Sequence, residues 1–228
     1  MSNILNDAFF LFLQFQYFYL IVSKFNSSAK NKPDSTTNKP PNFRTKDSSR
    51  GAWATSGNGV DLNQFLLQPL DQNAEAIINQ EVLDGYEIDS DFEWNWFQHS
   101  PIILPNGNIM CFDNGSKRNF STSPNYSRAV EYKINQEDMT VQQVWTYGKE
   151  LGEEAYSHIV SKVCYITDSD HVIFAPGAIS QNGPLHGRIY EVDKITNEVK
   201  LNMKITPPNA FIGVTFHNAQ RFDLGRNN

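Results

Sequence analysis

Short apolar runs separated by polar turns fill the chain from Ile102 to Ile205. Ile102–Leu104 and Ile109–Phe112 flank Pro105-Asn106-Gly107-Asn108. Asn-Gly between such runs predicts a hairpin, because both residues tolerate the positive φ of a tight turn. A second hairpin is expected from Ala129–Ile134 and Val141–Tyr147, turning at Asn135–Asp138. The order then repeats. Val160–Ile166 and His171–Ala175 turn at Thr167–Asp170, and Arg188–Val192 and Val199–Ile205 turn near Lys194–Asn197. Ser127-Arg128-Ala129-Val130-Glu131 aligns with Gly187-Arg188-Ile189-Tyr190-Glu191, and His99 aligns with His158. Four antiparallel strands, repeated after about 60 residues, predict an all-β chain with two blades of a partial β-propeller. Val214–Phe222 reads as a closing strand.

Upstream, the pattern changes. Phe92, Trp94 and Trp96 alternate with Glu93, Asn95 and Phe97, which predicts an extended approach to the first blade. Gln64–Pro69 reads as a short strand or turn, and Ala74–Leu83 as a helix candidate. Residues 23–50 are rich in Ser, Asn, Lys, Thr and Pro and read as a disordered linker, which leaves 51–228 as the folded unit. Residues 1–22 form an apolar N-terminal segment. Its core, Ala8–Val22, is short for a membrane span and is broken by Gln14 and Gln16. It is a candidate signal core or membrane anchor. Against export, Asp7 precedes it, no basic residue does, and Lys and Arg follow it from Lys24 to Arg50.

Composition narrows the classes further. A chain of 228 residues can bury one sizeable core. A formal charge of −6, with no basic patch interleaved with aromatics, argues against nucleic acid as a partner. Cys111 and Cys164 lack CxxC spacing, so no zinc site or other metal centre is expected. They read as buried thiols in equivalent strand regions of the two blades. No phosphate-binding, dinucleotide-binding, HExxH or GxSxG motif occurs, and no cofactor is expected.

Blade topology then groups the polar side chains. Loops that enter the innermost strand share a face with loops joining the second and third strands. His99 and His158 precede innermost strands; Arg118 and His186 lie in second-to-third loops. These four side chains are therefore expected to gather on one face.

Several longer motifs carry a resemblance. They are W-x-W-x-Q-H at Trp94–His99, F-D-N-G at Phe112–Gly115 with Arg118 nearby, and Tyr126-Ser127-Arg128-Ala129-Val130-Glu131-Tyr132-Lys133-Ile134. Met139–Trp145, Tyr147-Gly148-Lys149-Glu150, Gly152 and Tyr156-Ser157 extend the pattern. Over about residues 53–225 the chain resembles the bacterial arylsulfotransferase family.

That resemblance implies a six-bladed propeller in an exported, periplasmic or otherwise extracytoplasmic enzyme. It implies sulfuryl transfer from a phenolic sulfate donor to a phenol acceptor, with no nucleotide sulfate donor, through a covalent sulfo-histidine in a ping-pong cycle. Carried onto this chain, it places His99 and Arg118 in the active site. His186 is the expected nucleophile, and Ser100 and Asn114 are expected substrate-binding residues. The chemistry suits them. An imidazole can attack sulfur, a second can move the phenolic proton, and a guanidinium fork can hold sulfate oxygens. The family pattern also has an active-site histidine on an earlier blade, whereas the first histidine here is His99. Two blades fall short of a closed ring, so the chain reads as a C-terminal portion of such an enzyme. The alternative reading is an inactive propeller fragment that binds or assembles through open edges, including as a homo-oligomer.

Overall fold

The computed structural model describes residues 67–121, 126–181, 183–209 and 211–221. The apolar segment Ala8–Val22, the linker at 23–50 and the first half of Gln64–Pro69 lie outside them. The chain is all-β, in two sheets. The first contains β1 (Gln68–Leu70), β2 (His99–Ile103), β3 (Ile109–Asp113), β4 (Arg128–Asn135) and β5 (Thr140–Tyr147), in the order β1-β5-β4-β3-β2. The second contains β6 (Lys162–Ile166), β7 (His171–Ala175), β8 (Gly187–Asp193) and β9 (Val199–Ile205), in sequence order. All four predicted hairpins form, with ends within three residues of those expected.

The alternation of side chains explains why the sheets stack. Met110 and Phe112 leave one face of β3, and Cys111 leaves the other. Met110, Phe112, Ala129 and Tyr147 pack against Val163, Val172, Phe174 and Tyr190 of the second sheet. Phe112 and Phe174 stack at 5.0 Å with an interplanar angle of 10°. On the opposite face, Cys111, Val130, Tyr132 and Val141 are covered by Leu67, Ile77, Val82 and Phe92. The first sheet is therefore covered on both sides, and β3, buried on both faces, reads as the continuous apolar run Ile109–Phe112.

That covering is made by the segment before the first hairpin. β1 joins β5 in parallel, pairing Gln68 with Thr140 and Leu70 with Gln142, and adds a fifth strand to the four expected. The expected helix shrinks to α1 (Gln80–Leu83), capped by Asn79 Oδ1 accepting from the Glu81 N–H. It starts late because Ala74 adopts a left-handed φ of 64° and Ala76 bridges back to Leu70.

Two expectations need correction. No strand forms at residues 214–221, the described part of the predicted closing strand. The segment crosses the outer face of the second sheet instead of running along its edge. Phe216 N–H donates to Gly177 O at 3.1 Å and Val214 N–H to Leu185 O at 2.8 Å. Phe216 and Ala219 pack with Ile173 and Ala175. A Cβ on Gly187 would stand 2.3 Å from the Phe216 ring, so the missing side chain lets the crossing segment lie flat. The two cysteines are also not equivalent. Cys111 is buried on the inner strand β3, whereas Cys164, expected to be buried, is only partly so on the edge strand β6; both are free.

Candidate active site

His99 opens β2 beside a break in register, where β2 and β3 pair at His99–Phe112 and resume at Ile102–Met110. Phe97 and Ser100 on either side have φ of 54° and 53°. Such left-handed backbone at non-glycine residues is strained and tends to occur at functional sites. The ring of His99 is half-buried. Its Nδ1 lies 2.5 Å from Asn114 Oδ1 and 3.2 Å from Phe97 O.

Asn114 and the Phe97 carbonyl agree on which ring nitrogen carries the proton. Its Nδ2 donates to Ser157 O at 2.6 Å and to Val160 O at 3.2 Å. Two carbonyls can only accept, so the amide nitrogen must face them and Oδ1 must face His99. The His99 Nδ1 is then an N–H donor, and Nε2 of the neutral ring keeps a free lone pair. This tautomer follows from the hydrogen-bond network.

The second sheet supplies the rest of the row. Ser157 bridges to Ile179, and Ile179 to His186. His186 and Ile179 exchange backbone hydrogen bonds at 2.7 and 3.0 Å. His186 is 5% exposed, and its Nδ1 lies 3.0 Å from Pro184 O. His99, Asn114, Ser157, Ile179 and His186 thus form a continuous row across both sheets. His158 has an exposed ring, and its carbonyl accepts from Ser116 Oγ at 3.0 Å. Ser100 Oγ makes one long contact, 3.5 Å to Val163 O.

Arg118 stands behind this row, at 2% exposure. Its Nη1 donates to Glu93 Oε1 at 2.5 Å and its Nη2 to Asp113 Oδ2 at 2.9 Å. Arg128 bonds the same two carboxylates, through Nε to Asp113 Oδ2 at 2.8 Å and Nη1 to Glu93 Oε2 at 3.1 Å. Lys149 Nζ lies 3.3 Å from Glu93, and the Tyr126 hydroxyl donates to it. The Arg118 guanidinium also lies over the Tyr126 ring at 4.3 Å. Both terminal nitrogens of the fork expected to hold sulfate are thus engaged by protein carboxylates. Burial pushes the Glu93 carboxyl up, but Arg128, Arg118, Tyr126 and Lys149 outweigh it and hold it at about 2 against an ordinary 4.5. Burial raises the Tyr126 phenol, and the neighbouring Glu93 adds to the shift.

The two halves of the site meet at Asp113. Its Oδ1 accepts from the N–H groups of Trp96 and Gly115 at 2.8 and 3.1 Å. The ionic cluster therefore fixes the corner that presents Asn114. Glu93 was not among the candidates from sequence, although an acid between Phe92 and Trp94 in an alternating segment was a visible signal. Among the described residues, no group of three His, Cys, Asp or Glu is arranged to hold a metal ion, and no helix is long and apolar enough to cross a membrane.

Comparison with known proteins bears on what such a row does. Residues 48–211 match the family described as Arylsulfotransferase (ASST). The chain is 37% identical over 147 residues to Arylsulfate sulfotransferase AssT of Escherichia coli O6:H1, covering 61% of this chain and 24% of that protein. It is 35% identical over 147 residues to the protein of the same name from Lelliottia amnigena, with the same coverage. The chain thus spans about a quarter of the length of the curated relatives it matches.

Proposed function

The chain belongs to the arylsulfotransferase family, and we propose that its loop row passes a sulfuryl group from a phenolic sulfate ester to a phenol by way of a sulfo-histidine. On this reading the two sheets are neighbouring blades of a propeller. His99 is the nucleophile. Its Nε2 attacks sulfur, an S–N bond forms and the S–O bond to the departing phenolate breaks. An acceptor phenol then attacks the same sulfur, its proton leaves and the S–N bond breaks. Splitting one difficult transfer in two is the gain of covalent catalysis.

The observation that carries this reading is the Nδ1 hydrogen bond from His99 to Asn114 at 2.5 Å. It leaves Nε2 with a lone pair, and it survives when Nε2 becomes sulfated. His186, the nucleophile expected from sequence, is more deeply buried than His99. As the other imidazole of the row, it is assigned the phenolic proton. Ser100 Oγ, with one long contact to protein, supplies a donor for a sulfate oxygen. Arg118 supports the Asn114 corner through Asp113.

Intact mass after incubating the protein with 4-nitrophenyl sulfate tests this. Gain of one sulfuryl group in the wild type and in His186→Ala, but not in His99→Ala, is the expected result. Loss in His186→Ala alone would return the nucleophile to His186. No adduct in a folded wild-type chain would favour the binding or assembly reading. Transfer outside the cytoplasm belongs to the same proposal, and finding the protein in the cytoplasmic fraction would refute that part.

A further inference from the structure

Beyond the second sheet, β7 and β8 run on as a hairpin with arms at 176–179 and 185–188, and the second arm carries His186. Arg188 N–H donates to Pro176 O at 2.9 Å, and Ile179 and His186 pair through their backbones. These bonds tie the arms to each other but do not fix where the hairpin sits. The first arm has its own anchors: Ser161 Oγ accepts from Gly177 N–H at 3.1 Å, and Ser157 Oγ from Ala178 N–H at 2.8 Å. In the second arm, pairing with β9 ends at Gly187. Past that point, among the described residues, the hydrogen bonds of Leu185 and His186 stay within the hairpin with one exception. Val214 N–H donates to Leu185 O at 2.8 Å.

That donor belongs to the segment that crosses the outer face of the second sheet. Side chains alternate along the arm, so Leu185 and Gly187 face the crossing segment and His186 faces the other way. Phe216 covers both arms. A Cβ on Gly177 would stand 2.0 Å from Phe216 O, and one on Gly187 would stand 2.3 Å from its ring. A Cβ on Gly213 would stand 2.9 Å from Leu185 Cβ, so the segment also lies close against Leu185. Phe216 N–H donates to Gly177 O at 3.1 Å. The far end is held by Arg221, whose Nη1 lies 2.6 Å from Glu191 Oε1 on β8. The segment is a strap fastened at Leu185 and at Glu191, with Phe216 seated between.

We infer that Phe216 is a positioning residue for His186: from the outer face, the strap sets where the second arm presents the imidazole. Its importance to transfer rests on the reading of His186 as the group that handles the phenolic proton, whereas the placement needs no substrate. Without the Phe216 ring the strap loses its seat and both glycines lose their cover. Uncovered glycines leave the backbone wide conformational freedom. The second arm then opens locally, and an imidazole that is 5% exposed in the intact fold meets solvent.

The test is carbethoxylation of the full chain by diethyl pyrocarbonate, read at each histidine by peptide mass spectrometry. In the wild type the exposed His158 should react quickly and His186 slowly. In Phe216→Ala the rate at His186 should rise about tenfold, with the rates at His99 and His158 unchanged. If Phe216→Ala does not fold, Arg221→Ala replaces it. That change releases the far end of the strap at an exposed residue, and a smaller rise at His186 is expected. A folded variant in which His186 reacts no faster overturns the inference. With aryl sulfates, a misplaced proton donor matters most for a poor leaving group. Transfer from phenyl sulfate should therefore slow about tenfold in kcat with KM little changed, while transfer from 4-nitrophenyl sulfate should hardly change. Faster labelling without this dependence on the leaving group would sink the assignment of the phenolic proton to His186 and leave this inference standing.

Discussion

Replacing Glu93 with Gln removes the carboxylate on which Arg118, Arg128, Lys149 and Tyr126 converge. The side chain keeps its shape, so the loss is one of charge. A carboxyl held at about 2 in the fold and at 4.5 when unfolded stabilises the native state by about 3 kcal/mol near neutral pH. The folded value is the lower one, so this stability is complete above the unfolded value and fades as the pH falls towards the folded one. It should shrink to about 1.4 kcal/mol at about pH 3. Removing one partner of a buried ion pair commonly costs about 3–5 kcal/mol, because the other charge stays buried. Urea unfolding of wild type and Glu93→Gln across this range measures the gap directly. The expected gap is about 3 kcal/mol near neutral pH and less than half of that near pH 3. A gap that does not change with pH would refute the electrostatic account and leave packing as the cause.

Other substitutions test the remaining supports. Gly115→Ala should unfold the Asn114 corner and abolish sulfation, since φ is +76° and a Cβ would stand 2.1 Å from Tyr126 O; circular dichroism and intact mass would read both. Phe174→Ala should cost about 3–5 kcal/mol in urea unfolding, because the ring stacks on Phe112 at 5.0 Å at the centre of the inter-sheet core. Cys164 should react with a disulfide reagent well before Cys111. The Cys111 thiol is 5% exposed, and burial and then Asp113 push its pKa up.

What the sequence revealed was local. Asn106-Gly107 and the alternation through Ile109–Phe112 are short-range signals, and the hairpins they predicted are present. Strand order placed His99 and His186 at loops of one face, and the structure links them through Asn114, Ser157 and Ile179, none of which that expectation named as part of the cluster. Arg118 was legible as a basic residue of the loop between β3 and β4, but its surroundings were not. Its partner Glu93 lies 25 residues away, and that carboxylate's other partners, Arg128 and Lys149, lie 35 and 56 away. No periodicity encodes such a cluster. The strand at Val214–Phe222 was overcalled because apolar alternation does not distinguish an edge from a face. Phe216 crosses over Gly177 and Gly187, a relation between distant glycines. β1 was ambiguous because three residues are too few for a period to show.

The parallel pairing of β1 with β5 also sets a timetable for synthesis. Gln142 Nε2 donates to Asp71 O across 71 residues, so β1, the first of the described strands, waits for one of the later ones. At about 5–20 residues per second the wait is about 4–14 seconds. During it the surface that Leu67, Ile77 and Val82 bury against arrives in pieces, Cys111 on β3 first, then Val130 and Tyr132 on β4, and Val141 on β5 last. The nascent chain therefore passes through a defined interval in which a short apolar segment is only partly covered, and the pairing that holds it in place waits for β5.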